Sequence, residues 1–376
     1  MWKRNQSMMA EMTKFSFINK VIFINPDMSL WHLLQLKKKT NGTSSIGGTL
    51  FPKKNSIKIV RYTPLHILPF KYRFQSLEHV ENKAILRSIR RINAKNPYII
   101  FMNCPNILYP YPLDELLPTS ALSFFDFSDD FVELTTKKKS KDFVLTNITK
   151  YAQLADTVLA VNEHLKAKYS YLNKNIHVFK NATNYYNFDR KNYRVIPFLE
   201  KLKSKGNPII GYSGIANEVR IDSNLLDYIA KKRPDWQFVF IGPTNESLIE
   251  RYLNYKNFQF IPPVDYQSLP DYIHYFDVTI VPFKKNKHTM GNNLLKFHDY
   301  LAMGKPVVST NVGGATDFKD VLMIADGPFD FLLKIEKSLH SDTPADNIKR
   351  KNVALENSWH RRIKEVEGLI RDSLKI

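Results

Sequence analysis

The runs Pro208-Ile-Ile-Gly-Tyr-Ser213, Gln237-Phe-Val-Phe-Ile241, Phe258-Gln-Phe-Ile261, Val278-Thr-Ile-Val281 and Pro306-Val-Val-Ser309 decide the fold. Each is short and rich in β-branched or aromatic residues. None shows the apolar–polar alternation of a half-solvated strand, so both faces must be covered. The intervening segments supply that cover. Residues 222–232 carry Leu225, Leu226 and Ile229 at helical spacing and stop at Arg233-Pro234. Residues 246–253, 269–275 and 293–303 read as further helices, the last stopped by Gly304. Strict alternation of buried strands with helices predicts a parallel, doubly wound α/β sheet.

The N-terminal half follows the same style less regularly. Its strand candidates are 21–24, 57–60, 98–101, 123–125, 158–161 and 177–179. A helix over 77–93 places Leu77, Val80, Ala84, Ile89 and Ile92 on one apolar face. Residues 40–49, rich in Gly, Ser and Thr, read as a mobile loop. A polar, Lys-rich connection near 190–207 marks the break between two domains. The expected organisation is an extension over 1–19, a first Rossmann-like domain over 20–195, a second over 207–340, and a helical segment over 341–376 that could cross back to the first.

A chain of 376 residues with 43% hydrophobic and 24% charged residues suits two globular domains. Cys104 stands alone, which excludes an intramolecular disulfide and fits a reducing cytoplasm; it reads as a small buried hydrophobe. No apolar run reaches the roughly 18–20 residues that span a bilayer. The best, 15–34, is broken by Lys20, Pro26 and Asp27. Residues 1–14 lack the apolar core of an export signal, so a cytoplasmic protein is expected. The net charge of +19 is unevenly spread: residues 1–206 hold 33 Lys and Arg against 15 Asp and Glu, whereas the remainder is nearly neutral. A basic half can meet nucleic acid, anionic lipid or an anionic polymer, and composition alone does not choose.

Five segments stand in a shared order: Ile210-Gly-Tyr-Ser-Gly214, Arg233-Pro-Asp-Trp-Gln-Phe-Val-Phe-Ile-Gly242, Leu269-Pro-Asp-Tyr-Ile273, Phe276-Asp-Val-Thr-Ile-Val-Pro282 and Leu295-Lys-Phe-His-Asp-Tyr-Leu-Ala-Met-Gly-Lys-Pro-Val-Val-Ser-Thr310, followed by Gly313-Gly314. In order and spacing they resemble the donor domain of the glycosyltransferase group 1 superfamily (GT-B fold, family 4-like), in its bacterial cell-envelope polysaccharide branch. Phe125-Asp-Phe-Ser-Asp-Asp-Phe131, Ala155-Asp156 with Val158-Leu-Ala-Val-Asn162, and Val178-Phe-Lys-Asn-Ala182 resemble parts of that family's acceptor domain. The resemblance implies two Rossmann-like domains facing across a cleft. It also implies metal-independent hexosyl transfer, of the retaining kind, from a nucleotide-sugar to a glycan or lipid-linked acceptor.

Such chemistry must stabilise an oxocarbenium-like centre and a departing diphosphate, and fixed dipoles and cations serve the second need. The turn at Ser213-Gly214 lets backbone approach a diphosphate. Residues 289–294 open a helix and present N–H groups to an anion. Lys296 and Asp299, three apart, share a face of that helix. The resemblance implies that Asp299, where Glu is usual, holds the ribose and that Lys296 and Arg220 reach phosphate. An ion pair between Lys296 and Asp299, and a plain surface Arg220, are the bland alternatives. Tyr212, Gly242, Val264, Asn292, Asn293 and Leu294 complete the expected donor site. Many relatives carry a second Glu eight residues before the ribose-binding acid; Gly291 stands there in this chain, with His288 the nearest polar substitute.

Asp126, Asp129 and Asp130 follow a buried strand and belong at its carboxyl end, where doubly wound sheets bind ligands. Asp129 or Asp130 could orient or deprotonate an acceptor hydroxyl; turn formation and helix capping compete as explanations. Asn162 and Asn181 join Asp126 on the expected acceptor side. Nothing else supplies metal ligands at suitable spacing, so no metal or other cofactor is expected. Competing readings are an epimerase or phosphorylase-like enzyme on the same fold, a nucleic-acid-binding protein and a non-catalytic relative. The basic residues sit in Lys runs and one helix, not interleaved with aromatics, so no nucleic-acid partner is expected. An anionic membrane surface, met from the cytoplasmic side, is the expected partner of the basic half.

Overall fold

The computed structural model describes residues 4–24, 28–29, 53–54, 59–62, 65–66, 75–103, 110–135, 138–290 and 292–376. The loop expected over 40–49, Cys104, Lys37–Lys39 and Gly291 lie outside them. Contacts divide the chain into two units: Met1–Ser7, Val161–Leu165 and Val178–Lys364 form one, and Met8–Ala160, Lys166–His177 and Glu365–Ile376 the other.

The first unit is built on six parallel strands: β1 (Ile209–Ser213), β2 (Gln237–Ile241), β3 (Phe258–Ile261), β4 (Val278–Val281), β5 (Val307–Thr310) and β6 (Met323–Ala325). Their spatial order is β3-β2-β1-β4-β5-β6, the doubly wound arrangement in which the order reverses between β1 and β4. All residues of β1, β2, β4 and β5 are buried, as their unbroken apolar runs predict. Helix α1 (Ser223–Lys232) starts where the Asp222 carboxylate accepts a bond from the Leu225 N–H, and it buries Leu225, Leu226, Ile229 and Ala230. Helix α2 (Leu295–Ala302) follows β4 and precedes β5. The residues before β1 also pack into this core: Tyr185, Phe188, Leu199 and Leu202 join the cluster of Ile209, Phe238 and Leu301.

In the second unit the strands Ile99–Asn103, Leu122–Phe127, Thr157–Ala160 and Ile176–Val178 lie in that order in one sheet. A separate sheet pairs Val21–Ile24 with Ile59–Tyr62 in parallel. The helix Gln75–Asn93 forms as expected, but of its expected apolar face Ile89 is buried and Ile92 half-buried while two members turn outward. Val80 is 61% exposed and Ala84 is also exposed, while Asn82, Ile85, Leu86 and Ile89 are buried. A helix with charges on several sides offers more than one candidate stripe, and the packing partners Ile24, Tyr98 and Ile100 select this one. Among the described residues no helix is long and apolar enough to cross a membrane.

Candidate active site

A reversal of strand order leaves a crevice at the carboxyl ends of the two strands that flank it, because their following loops run in opposite directions. Those strands are β1 and β4, so the crevice is bordered by residues 214–222, 282–290 and 292–294. These segments carry Gly214, Arg220, Asn292, Asn293 and Leu294 of the residues that the sequence assigns to the donor.

The turn after β1 is made by close glycine packing. Gly214 and Gly242 both have φ +129°, a conformation that side chains other than glycine's rarely adopt. A methyl on Gly242 would fall 2.5 Å from the Gly214 carbonyl oxygen. Ser213 is buried, its N–H bonding the Tyr300 hydroxyl at 2.6 Å and its Oγ the same oxygen at 3.0 Å. Its side chain is thus a strut between β1 and α2. Tyr212 is fully buried, and its hydroxyl donates to the Ile215 carbonyl at 2.7 Å while receiving Lys296 Nζ at 3.1 Å.

Lys296 is wedged between two rings, its Nζ 4.5 Å from the Tyr212 centroid and 4.4 Å from that of Phe283. Burial, with the Arg220 charge adding and Asp299 opposing, holds this amine well below the usual lysine range. Its charged form is therefore disfavoured until a counter-charge arrives, and it lies beside the turn, where a Gly214 methyl would come within 3.2 Å of it. The Lys296–Asp299 ion pair weighed as the bland alternative does not occur among the described salt bridges; Lys296 bonds Tyr212 instead. Arg220 is half-buried in the loop after β1, its carbonyl taking the Lys284 N–H at 2.7 Å.

Asp299 is buried. Thr183 Oγ1 donates to its Oδ1 at 2.9 Å and the Tyr266 hydroxyl to the same oxygen at 3.1 Å. Burial pushes the carboxyl up to about 7, against those two bonds and the Lys296 charge, all of which pull it down. Thr183 and Tyr266 are site residues that sequence reasoning missed, and no motif marks either. His298, the neighbour of Asp299, is buried against Phe318 and pushed down to about 3 by burial, with Arg362 and Lys180 adding. It is a neutral core histidine.

The segment 292–294 leads into α2, whose N-cap residue Leu294 makes no side-chain capping bond. Gly313 and Gly314 press against this segment: a methyl on Gly313 would lie 2.1 Å from the Asn292 carbonyl oxygen. Val264 is partly buried against the core near Tyr266. His288 belongs to the short helix Lys287–Met290, but its side chain, like the whole of Gly291, is outside the described residues.

The acceptor-side candidates separate. Asp126 is fully buried at the end of Leu122–Phe127, in register with Asn103 and Leu159. Asp129 is partly exposed in the turn that follows. Asp130 caps Phe131–Leu134 through the Glu133 N–H at 3.3 Å and receives Lys168 Nζ at 2.7 Å and the Tyr169 hydroxyl at 3.3 Å. Asn162 caps the next helix, Glu163–Tyr169, by accepting the Leu165 N–H at 2.8 Å. Asn181 is not an acceptor-side residue by contact: it belongs to the first unit and bonds Asn293 twice, through its N–H at 3.1 Å and its Nδ2 at 2.6 Å. Among the described residues no group of three His, Cys, Asp or Glu side chains could hold a metal ion.

The fold belongs to a known class. Sucrose-phosphate synthase (tll1590) from Thermosynechococcus elongatus superposes with a TM-score of 0.67 at 15% identity, over 98% of this chain and 92% of that one. Anabaena Alr3699/HepE in complex with UDP and glucose gives 0.65 at 11% identity, over 94% and 99%. A trehalose-6-phosphate structure from E. coli bound with UDP-2-fluoro glucose gives 0.62 at 12%, over 95% and 99%. The chain has the GT-B fold expected from its sequence. Residues 217–341 match the family described as glycosyl transferases group 1. The chain is 25% identical over 221 residues to TuaH of Bacillus subtilis (strain 168), described as a teichuronic acid biosynthesis glycosyltransferase. The match spans 55% of the length of each.

Proposed function

We propose that the protein is a glycosyltransferase that moves a sugar from a nucleotide-sugar to a glycan or lipid-linked acceptor in cell-envelope polysaccharide synthesis. The observation that carries this reading is the convergence, at one switch point, of a glycine turn, an under-neutralised lysine, an uncapped helix start and a buried acid. In the reaction the bond from the anomeric carbon to the diphosphate breaks and the acceptor oxygen takes its place. The diphosphate leaves with added negative charge, which Lys296, Arg220 and the N–H groups at 292–296 would neutralise without rearranging. Asp299 would accept bonds from the ribose hydroxyls, held in place by Thr183 and Tyr266. Val264 would lie against the base, and the segment holding His288 and Gly291 would meet the sugar. Asp126, Asp129 and Asp130 are the acceptor candidates, with Asp129 the most exposed; a proton leaving the acceptor hydroxyl would go to one of them or to the departing phosphate.

Relatives of this fold bound with UDP, with glucose or with UDP-2-fluoro glucose make UDP-sugars the first donors to test. A thermal-shift series with UDP, GDP, dTDP and CMP should yield one nucleotide that stabilises the protein, by about 2.7 kcal/mol at a hundred times its dissociation constant. No shift with any of them would overturn the reading. With the matching donor, transfer should run at the same rate in excess chelator and keep the anomeric configuration. A strict Mg²⁺ or Mn²⁺ requirement would overturn the metal-independent form of the proposal, and an inverted product the retaining form.

The acceptor reading extends to place. Lys83, Arg87, Arg90 and Arg91 are exposed on Gln75–Asn93, and each such charge near an anionic leaflet contributes about 1 kcal/mol within a Debye length of about 8 Å. We infer a peripheral protein at the cytoplasmic face of the membrane. Anionic liposomes should sediment it at low salt and release it as salt rises, and replacing Arg87, Arg90 and Arg91 with Gln should weaken the attachment. Indifference to anionic liposomes at low salt would eliminate the membrane and favour a soluble or polymeric acceptor.

A further inference from the structure

Arg4 is only 5% exposed, deep burial for a group that keeps its charge throughout the physiological range. Its guanidinium carbon lies 4.9 Å from the centroid of Phe179 and 5.8 Å from that of Trp359. Nη2 donates to the Phe179 carbonyl at 2.8 Å, and Nη1 donates to Asn181 Oδ1 at 3.0 Å.

The second bond has a directional consequence. Arginine carries donors only, so it must face the oxygen of the Asn181 amide. The NH₂ group is then turned the other way, where Nδ2 donates to the Asn293 carbonyl at 2.6 Å. The Asn181 N–H meanwhile donates to Asn293 Oδ1 at 3.1 Å. Asn293 is thereby gripped through both its backbone and its side chain. Gly314 bounds it from another direction, since a methyl there would fall 2.9 Å from Asn293 Nδ2. The Asn293 carbonyl and the arginine favour the same orientation of the Asn181 amide, and the arginine holds its oxygen from the far side. A flipped amide would point its oxygen at the Asn293 carbonyl, acceptor against acceptor.

The geometry points to Arg4 as a positioning residue for the diphosphate-binding segment 292–294, acting through Asn181. The inference rests on the nucleotide-sugar reading above and adds to it a residue from the start of the chain, far in sequence from every motif of the donor site. It also makes a selective statement. Arg4 acts on the segment that meets phosphate, while Asp299, which meets ribose, is held independently by Thr183 and Tyr266.

The test compares UDP with uridine, or the corresponding pair for whichever nucleotide the protein prefers, on the full chain. Arg4→Ala should lower diphosphate affinity by about tenfold, the scale of one hydrogen bond to a charged group, and leave nucleoside affinity unchanged. Arg4→Lys, which keeps a donor toward Asn181, should recover part of the loss. Asn181→Ala should reproduce the defect, and adding Arg4→Ala to it should bring no further loss, because the two act in series. Equal losses for diphosphate and nucleoside, or additive losses in the double variant, would overturn the inference and leave Arg4 a general core residue. Unchanged diphosphate binding would overturn it outright. Should Arg4→Ala fail to fold, Arg4→Lys and Asn181→Ala carry the same comparison. A wild-type protein that binds none of UDP, GDP, dTDP or CMP would overturn the glycosyltransferase reading, and this inference with it.

Discussion

Asp299→Ala should weaken nucleoside diphosphate binding by about a hundredfold, the loss of two hydrogen bonds to a charged acceptor at roughly 1.5–3 kcal/mol each with partial compensation by water. Both intramolecular bonds to this carboxylate fall on Oδ1, so Oδ2 is the atom offered to a ligand. The variant also strips Thr183 and Tyr266 of a common acceptor. Asp299→Asn is therefore the cleaner partner experiment, since its amide oxygen can still take their bonds. Isothermal calorimetry on both variants, beside circular dichroism to check the fold, gives the answer. Unchanged affinity in Asp299→Ala would remove the ribose assignment.

The same residue gives the binding a pH dependence with a definite sign. Its carboxyl sits near 7 in the free protein, mainly because burial penalises the charged form. Ribose hydroxyls donating to it favour that charged form, so binding lowers its pKa and releases a proton. Affinity should then rise from pH 6 to pH 8 and level off above the free value, and the slope should vanish in Asp299→Asn. Phosphate ionisation contributes in the same direction, which is why the Asn variant, and not the wild type alone, isolates the residue. Stability runs the opposite way. A carboxyl raised on folding contributes fully below its unfolded value near 4 and loses that contribution as pH climbs through 7. Asp299→Asn should accordingly melt higher than the wild type at pH 8 and lose that advantage at pH 4.

Much of this site can be read from local pattern. The strands β1 to β5 announce themselves because two-sided burial forces unbroken apolar runs, and the glycines at 214 and 242 close β1 and β2 in the sequence itself. Strand β6 escapes because Met323–Ala325 is three residues long, too short for any periodicity. The supports of Asp299 escape for a different reason. Thr183 reaches it across 116 residues and Tyr266 across 33, and a threonine and a tyrosine in loops carry no local signature of a long-range bond. Asn181 shows the limit most plainly. Its place after an apparent strand of the N-terminal half suggested the acceptor side, yet its bonds go to Asn293. Asp130 shows the same limit, since Lys168 and Tyr169, which bond it, lie some 38 residues on, in the helix Glu163–Tyr169.

The largest effect on the fold of the donor site is expected from Gly242→Ala. The added methyl meets the Gly214 carbonyl oxygen at 2.5 Å, and φ at Gly242 is +129°. Backbone strain of this kind costs about 1–3 kcal/mol, and forcing an atom into packed backbone adds about 1–3 kcal/mol more. A total near 3 kcal/mol corresponds to a melting temperature lower by about 6–12 °C in a unit of this size. The clash cannot be relieved by a rotamer change, because its partner is main chain. Relief requires moving the Gly214 turn, so nucleotide binding should fall along with stability. Gly206 and Gly327 supply the control: both have positive φ, +78° and +86°, with no atom within 4 Å of the added methyl. Alanine there should cost strain alone, about 1 kcal/mol, and leave nucleotide affinity intact. Gly214→Ala falls between, since its nearest neighbour is the flexible end of Lys296 at 3.2 Å; it should lose more affinity than stability. A Gly242→Ala protein as stable as Gly206→Ala, with wild-type nucleotide binding, would show that the two glycines do not form the floor of the diphosphate site.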